Sequence, residues 1–331
     1  MEFPSSVELA RLPTPIQRLE RLSKELGGPE ILIKRDDLTG CSLSGNKVRK
    51  LEFSVAEALR TKSDTLITCG AVQSNHARAT AIVAARLGMS SLLVLRGTEE
   101  ETPEANLFLD RLVGAEVRFI TPEEYKVVDD IMADIARELE RRGKKPYIIP
   151  EGASNEIGVW GYVKALKEIK EQLDEMDQRI DAIVIACGSG GTQTGLLLGK
   201  KLFGFRSSVY GISAGDDRGY LRERILRTCN KTGERFKLNI KVERDEIEVT
   251  DSYVGLGYGL SRPAEVETIE HLAQLEGLIL DPVYTAKGMF GLCEEIRCGR
   301  FKAGQRILFI HTGGIFGLFP QRVLFKDLWK R

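Results

Sequence analysis

The amino-acid sequence predicts an α/β protein with two lobes, each an open, mostly parallel, twisted sheet covered by helices. Short runs rich in β-branched and aliphatic residues alternate with helical patterns along the whole chain. The 331 residues exceed the roughly 250–300 at which a single hydrophobic core stops growing. With 42% hydrophobic residues, the chain has enough apolar side chains to fill two cores.

Strand-like and helical segments follow one another almost without exception. In chain order, strands are predicted at residues 31–34, 65–69, 91–95, 116–120, 147–149, 182–187, 208–213, 278–280 and 307–311. Helical periodicity covers residues 47–61, 75–87, 123–142, 158–178, 193–203, 264–275 and 286–297. Helices between short strands are the crossover connections that parallel strands need, and they cover both faces of the sheet.

No linker marks the division into lobes. The sequence contains no internal repeat, no low-complexity tract and no segment rich in proline and serine. We therefore expect part of the chain to leave the first lobe, form the second and return. The smaller lobe is predicted to comprise residues 48–155, and the larger lobe residues 1–47 and 156–331.

The charges indicate a small-molecule partner. The 48 basic and 48 acidic side chains cancel, so the chain has no overall attraction to nucleic acid or anionic membranes.

The N-terminus lacks the basic and apolar regions of a secretory signal, and no apolar run approaches the roughly 20 residues of a membrane helix. A soluble, cytoplasmic protein is expected. The six cysteines form no CxxC pair and histidines number only three, which predicts reduced thiols and no metal site.

Two glycine-rich loops can be compared with phosphate-binding motifs, and the first spans residues 40–48. A P-loop requires lysine directly after its second glycine and then a serine or threonine that binds magnesium. Here Asn46 separates Gly45 from Lys47, and Val48 has no hydroxyl. The departures disfavour nucleotide hydrolysis.

The second glycine-rich loop, residues 187–195, follows an apolar strand and opens a helix, as a dinucleotide-binding loop does. Gln193 stands where the third glycine of that motif is needed, and no acidic ribose ligand is evident. A nicotinamide dehydrogenase is therefore only a distant alternative. Backbone N–H groups at a helix N-terminus bind an anion such as phosphate, although three close glycines could also simply form a tight turn. The predicted cradle comprises Gly188, Ser189, Gly190, Gly191 and Thr192.

Lys47 lies on a Gly-Asn-Lys turn at the start of a predicted helix. A cation at a helix N-terminus opposes the helix dipole. The ammonium either extends harmlessly into water, or the position helps to keep the amine neutral and nucleophilic for imine chemistry. An imine-forming lysine together with a dianion site is what pyridoxal phosphate requires, and this favours the second interpretation.

Seven short motifs carry a family resemblance across nearly the whole chain. They are Lys-Arg-Asp-Asp at residues 34–37, Ser-Gly-Asn-Lys-Val-Arg-Lys-Leu-Glu-Phe at 44–53, Gln-Ser-Asn-His at 73–76, Gly-Ser-Gly-Gly-Thr at 188–192, Tyr-Gly-Leu at 258–260, Asp-Pro-Val-Tyr-Thr at 281–285 and His-Thr-Gly-Gly at 311–314. Together they resemble the D-cysteine desulfhydrase and 1-aminocyclopropane-1-carboxylate (ACC) deaminase family. The resemblance implies pyridoxal 5'-phosphate as cofactor, the fold of the tryptophan synthase β-chain (fold type II), and a homodimer.

The resemblance also implies roles for single residues in cofactor binding. Lys47 holds the cofactor and is freed when an amino-acid substrate displaces it, and the glycine-rich cradle binds the phosphate. Asn75 is implied to bond the ring oxygen and Thr312 to face the pyridine nitrogen. Thr312 could equally be an ordinary strand-end threonine.

Further residues are implied to surround the substrate. Ser74 would help to hold the carboxylate, although Ser74 and Asn75 are also good helix-capping residues. Tyr258 and Tyr284 would flank the substrate as phenols that donate or accept a proton, or would be buried aromatics with backbone partners. His76 would line the pocket or serve the helix alone. The predicted catalytic residues are Lys47, Ser74, Tyr258 and Tyr284, and the predicted substrate contacts are Ser74, Asn75, His76, Tyr258, Tyr284 and Thr285.

Two positions bear on the substrate. ACC deaminases that this chain resembles carry Glu at the position of Thr285 and Leu at that of Thr312. Both differences favour β-elimination from D-cysteine, which yields pyruvate, hydrogen sulfide and ammonia. ACC deamination and elimination from L-cysteate or D-serine stay open as alternatives. From another class, a non-catalytic protein that binds phosphate or cofactor is also possible.

Overall fold

The computed structural model describes residues 2–330, and side chains up to residue 326. The predicted outer limits of the larger lobe, residues 1 and 331, lie outside this range. The larger sheet has six strands in the order β1-β2-β10-β7-β8-β9, and only the β1–β2 pair is antiparallel. Its strands are β1 (Ile16–Arg18), β2 (Glu30–Lys34), β7 (Ala182–Cys187), β8 (Ser208–Ser213), β9 (Glu248–Thr250) and β10 (Arg306–Ile310).

The second sheet has four strands, all parallel, in the order β5-β4-β3-β6. Its strands are β3 (Thr65–Ala71), β4 (Ser90–Arg96), β5 (Glu116–Ile120) and β6 (Pro146–Ile148). The helices are α1 (Glu20–Leu26), α2 (Asn46–Arg60), α3 (Asn75–Arg86), α4 (Ala105–Leu112), α5 (Val128–Arg141), α6 (Trp160–Glu175), α7 (Gly191–Phe203), α8 (Arg218–Phe236), α9 (Pro263–Glu276) and α10 (Thr285–Arg297). Short 3₁₀ turns and a longer 3₁₀ segment, Ile315–Lys330, complete the described chain.

The larger sheet is buried on both faces, as its apolar strands require. Successive residues of a strand point to opposite faces, so Leu32 and Ile183 lie in one hydrophobic cluster while Ile31 and Val184 lie in another. The two-lobed α/β fold with parallel sheets is therefore confirmed. The bounds of the smaller lobe, residues 48–155, stay a prediction.

Some predicted elements differ from those observed. Residues 278–280 form no strand: Leu278 and Leu280 are buried, but the Leu278 N–H bonds the end of α9 and the Ile279 carbonyl accepts from His311. Burial of an apolar run thus does not require sheet pairing. The predicted helix 123–142 begins as a 3₁₀ turn, Glu124–Val127, before α5. The structure adds β1, β9, α1, α4 and α8 to the predicted elements.

A buried polar network fixes α2 against the larger sheet. The Arg49 guanidinium donates to both carboxylate oxygens of Asp36 at 2.9 and 2.8 Å and to Glu168 on α6 at 2.9 Å. Lys34 donates to the same Glu168 at 2.6 Å. Because Arg49 is almost fully buried and lies two residues from Lys47, this network also sets the position of Lys47.

No helix in residues 2–330 is long and apolar enough to cross a lipid bilayer.

Candidate active site

A cavity of about 610 Å³ lies where carboxyl ends of strands from both sheets face each other. Open α/β sheets bind ligands at such edges, because the loops and helix N-termini that follow the strands converge there. All but one of the residues predicted for the site line this cavity. They are Lys47, Ser74, Asn75, His76, Gly188, Ser189, Gly190, Gly191, Thr192, Tyr258, Tyr284 and Thr312.

Lys47 lies in the first turn of α2, with its amine inside the cavity. The turn is held against the end of β10, since the Asn46 N–H donates to the Thr312 carbonyl at 3.0 Å and a Cβ on Gly45 would collide with that oxygen. The Lys47 Nζ lies 5.7 Å from the centroid of the Tyr284 ring and has no hydrogen bond or ion pair with any described residue. Burial lowers the pKa of Lys47 to about 8, against the opposing effect of Glu151. The amine is thus available as a nucleophile near neutral pH.

We expect Lys47 of the cofactor-free protein to react with an amine-acylating reagent at a rate that rises with pH and levels off above about 8. Only the neutral amine is nucleophilic, and an ordinary surface lysine reaches that state at about pH 10.4. Peptide mapping after short exposure to the reagent at several pH values measures the rate at Lys47 and at surface lysines together. A Lys47 profile with the same midpoint as the surface lysines would contradict the assignment.

The glycine-rich loop between β7 and α7 forms the anion cradle. Gly190 has φ +81°, and a Cβ there would lie 2.8 Å from Ile225. A Cβ on Gly191 would collide with the Ser154 hydroxyl, so the loop can pack against these neighbours only with glycine at both positions. The Asn46 amide donates to the Thr192 hydroxyl at 3.0 Å and thereby joins the cradle to the Lys47 turn.

Lys50 is a cavity residue that the sequence analysis missed. It follows Lys47 by three residues on α2, so both amines lie on one helix face. Its Nζ lies 3.2 Å from the Ser154 hydroxyl, beside the glycine-rich cradle. Burial, and then the charge of Lys47, lower the pKa of Lys50 well below its ordinary value. A bound phosphate would favour the charged form of this amine, and the spacing of the two lysines was the signal available in the sequence.

The start of α3 brings three predicted residues to the cavity. The Ser74 hydroxyl accepts from the Ala77 N–H at 3.1 Å, which makes Ser74 the N-cap of α3 as well as a cavity residue. The Asn75 side-chain oxygen accepts from the Asn106 amide at 3.2 Å. His76 is buried with Nε2 2.8 Å from the Thr68 hydroxyl, and burial lowers its pKa well below the ordinary value, so it is neutral.

Tyr258 and Tyr284 form a phenol pair, with hydroxyl oxygens 2.7 Å apart and ring centroids 5.8 Å apart. Tyr284 is the residue before α10, and the Asp281 carboxylate accepts from the N–H groups of Val283, Tyr284 and Thr285. Desolvation raises the pKa of both phenols, which keeps both protonated at neutral pH. Either hydroxyl of the pair can therefore donate a proton to a group bound in the cavity.

The structure corrects the prediction for Thr285. Its side chain is fully buried outside the cavity lining, and its hydroxyl is engaged by Asp281, donating to Oδ1 at 2.7 Å and accepting from the backbone N–H at 2.6 Å. The residue therefore stabilises the start of α10, and its hydroxyl does not face the cavity. Thr312, by contrast, lies directly after β10 and lines the cavity.

Glu151 and Arg224 are further cavity residues without a local sequence signal. Glu151 accepts a hydrogen bond from Tyr125 at 2.8 Å and forms an ion pair with Arg224 at 3.3 Å. The contacts join residues 26 and 73 positions apart in the chain, so only the folded structure brings them together.

The donor set fits pyridoxal 5'-phosphate. The Lys47 amine of lowered pKa lies in the same cavity as a glycine-rich helix N-terminus, which can bind an anion, and the buried Lys50 amine lies beside that loop. Lys47 would hold the aldehyde carbon, the cradle with Lys50 the phosphate, and Asn75 and Thr312 the ring. The cofactor, when bound, supplies the electron sink that stabilises negative charge at the substrate Cα.

Comparison with known proteins identifies the family of the chain. A model of the family described as pyridoxal-phosphate dependent enzymes matches residues 7–313. A putative ACC deaminase of Thermotoga maritima is 43% identical over 316 residues, covering 95% of this chain and 98% of that protein. The mitochondrial bifunctional D-cysteine desulfhydrase/ACC deaminase of Arabidopsis thaliana is 43% identical over 323 residues, covering 95% of this chain and 79% of that protein.

Solved structures show the same fold. The crystal structure of an ACC deaminase homologue superposes with a TM-score of 0.90 at 39% identity, covering 98% of this chain and 96% of that one. A fungal L-serine ammonia-lyase from Rhizomucor miehei shares the fold alone, with a TM-score of 0.67 at 16% identity over 97% of this chain and 98% of that one. The nicotinamide and non-catalytic alternatives are thereby set aside. The protein is a fold type II enzyme that uses pyridoxal phosphate, and the chain belongs to the pyridoxal-phosphate dependent enzyme family.

Proposed function

We propose that the enzyme catalyses β-elimination from D-cysteine, in which one D-cysteine and one water yield pyruvate, hydrogen sulfide and ammonia. The observation that carries the proposal is Thr312, which lines the cavity at the position where the resembling ACC deaminases have leucine. The Arabidopsis relative named for both activities supports a D-cysteine substrate within this family.

The chain supplies groups for each proton transfer. Ser74 and Asn75, at the N-terminus of α3, bind the substrate carboxylate with the help of the helix dipole. The Lys47 amine, once neutral, accepts the Cα proton. The phenol pair Tyr258–Tyr284 donates a proton to the leaving sulfur, because both hydroxyls stay protonated at neutral pH.

Deamination of ACC is the second candidate, and it is supported by the names of the Thermotoga and Arabidopsis relatives. The two activities differ in product, since ACC yields 2-oxobutyrate. Thr285 lies outside the cavity lining, so a contact between Thr285 and the substrate does not distinguish ACC from D-cysteine. The proposal therefore depends on Thr312.

The purified, cofactor-saturated enzyme should form pyruvate and sulfide from D-cysteine and little 2-oxobutyrate from ACC. The assay presents D-cysteine, L-cysteine, D-serine, L-cysteate and ACC separately and identifies each keto acid by chromatography. The matched variants are Thr312→Leu, which we expect to lower kcat/KM for D-cysteine by about tenfold or more, and Thr268→Leu on α9 as the control outside the cavity lining. Pyruvate from none of the sulfur amino acids, with 2-oxobutyrate from ACC, would refute the proposal.

We also propose that two copies of the chain associate. Phe108 and Leu112 lie one turn apart on α4 and are exposed, as are Phe319 and Val323 in the neighbouring 3₁₀ segment. Arg322 and Glu104 join these two elements by an ion pair of 2.7 Å. Exposed apolar clusters of this kind mark interaction surfaces.

Sedimentation of the parent enzyme should give twice the 36.9 kDa chain mass, and the Leu112→Glu variant should sediment as a monomer. A monomeric parent enzyme would contradict the proposal.

A further inference from the structure

The loop that carries Tyr258 contacts the rest of the site through the Tyr258 ring, which packs against Tyr284 and lies under the Arg96 guanidinium, 5.6 Å from the ring centroid. Gly255, Gly257 and Gly259 all have positive φ, so the backbone around Tyr258 turns three times through conformations that other residues rarely adopt. Tyr258 is 39% exposed, and its apolar neighbours Leu256 and Leu260 also face solvent. These ring contacts position the Tyr258 side chain, whereas the backbone of this loop, residues 254–260, is bonded to α10 by Lys287.

Lys287 on α10 is hydrogen-bonded to the backbone of this loop. Its side chain is fully buried, and its ammonium donates to the carbonyls of Val254 and Gly257 at 2.6 Å each. Gly257 directly precedes Tyr258, so one of the two bonds ends at the peptide group that leads into the tyrosine.

The position of Lys287 is costly for a cation. It lies in the first turn of α10, where the helix dipole disfavours positive charge. Burial lowers its pKa, and Glu265 opposes this shift. A buried ammonium in such a place requires compensating acceptors, and both hydrogen-bond acceptors come from the Tyr258 loop.

The same helix turn also fixes Tyr284. Asp281 accepts the Tyr284 N–H at 3.0 Å, and Lys287 follows Tyr284 by three residues. This turn of α10 contacts both phenols of the pair. It holds Tyr284 through the backbone hydrogen bond to Asp281, and it reaches the loop of Tyr258 through the Lys287 side chain. Both connections lead to the two phenols, whose hydroxyl oxygens lie 2.7 Å apart.

We propose that Lys287 is a positioning residue that fixes the Tyr258 loop to α10 and so keeps the Tyr258 hydroxyl in hydrogen-bonding distance of Tyr284. The catalytic consequence rests on the proposed function, in which this phenol pair donates a proton to the leaving group. The structural part of the proposal does not depend on the substrate.

The structural part is tested by backbone amide exchange in the cofactor-free protein. Lys287→Met keeps the length of the side chain and removes its donors, and we expect exchange in residues 255–260 to become about tenfold faster or more, while the rest of α10 keeps its protection. Unchanged exchange in the loop, or equal loss of protection in loop and helix, would overturn the proposal. If Lys287→Met does not fold, Lys287→Gln replaces it in both tests.

The catalytic part is tested by a double-mutant cycle with Tyr258→Phe on D-cysteine. Lys287→Met should lower kcat by about tenfold or more and leave cofactor affinity within about twofold, because the cradle is untouched. In the Tyr258→Phe background the same change should lower kcat by less than about threefold, since the phenol is already absent. Independent, multiplicative effects would overturn the catalytic part. If the parent enzyme does not act on D-cysteine, the proposed function fails while the exchange result still decides the role of Lys287.

Discussion

Lys47→Ala is expected to abolish turnover, with kcat reduced by at least about 10³-fold, because the variant lacks both the amine that holds the cofactor and the base for the Cα proton. The protein should fold normally, since Lys47 has no hydrogen bond or ion pair with the described residues that its removal would leave unsatisfied. The measurements are keto-acid formation from the best substrate and the absorbance of the cofactor-loaded protein, which should lose the band of lysine-bound cofactor.

Lys170→Ala provides the matched control. Lys170 lies on α6, is exposed and pairs only with Asp174 one turn away, so its removal should leave both turnover and cofactor absorbance unchanged. Full activity in Lys47→Ala, or equal losses in the two variants, would be incompatible with the assigned site.

The second large effect concerns stability. Arg49→Met is expected to lower the free energy of unfolding by about 3–5 kcal/mol, the cost of removing one partner from a buried ion pair. Asp36 is fully buried, and without Arg49 it would keep only its neutral partners and Lys34 nearby. Urea denaturation of parent and variant measures the difference, provided that both unfold in a single transition.

The difference should depend on pH. Burial alone would raise the pKa of Asp36, but Arg49, Lys34 and the Tyr162 hydroxyl together outweigh burial and hold that pKa below the ordinary value of 3.8. A depressed pKa stabilises the fold above the unfolded-state value, and this contribution declines as the pH falls through the folded-state value. The loss in Arg49→Met should therefore be largest at neutral pH and shrink in acid.

Arg142→Met is the control for this prediction, because the Arg142–Glu138 pair on the surface is exposed on both sides. We expect it to change the free energy of unfolding by less than about 0.5 kcal/mol. Comparable losses in Arg49→Met and Arg142→Met would show that the buried network does not hold α2 in place.

Sequence reasoning predicted the fold class well because the central strands of the larger sheet, β2, β7, β8 and β10, are mostly apolar runs. It placed residues 182–187 and 208–213 within the observed bounds of β7 and β8. It failed at residues 278–280, where burial rather than sheet pairing selects apolar side chains. It also missed α8, a 19-residue helix rich in charged and polar residues whose buried positions are few.

The site was predictable where function depends on local geometry. Lys47 and the glycine-rich cradle belong to turns whose chemistry can be recognised from a few adjacent residues. Thr285 could not be assigned in this way, because its contact with Asp281 follows from how α10 begins. Glu151 and Lys287 act through partners distant in sequence, and such contacts exist only in the folded chain.

One measurement tests the central claim, that Lys47 is the residue which binds the cofactor, most directly. The protein is loaded with pyridoxal 5'-phosphate, treated with borohydride to make the bond between lysine and cofactor irreversible, digested, and mapped by mass spectrometry. We predict the modification on Lys47, whose pKa is lowered to about 8, and an unmodified Lys50 three residues away. Modification of Lys50 in place of Lys47, or of surface lysines alone, would contradict the account.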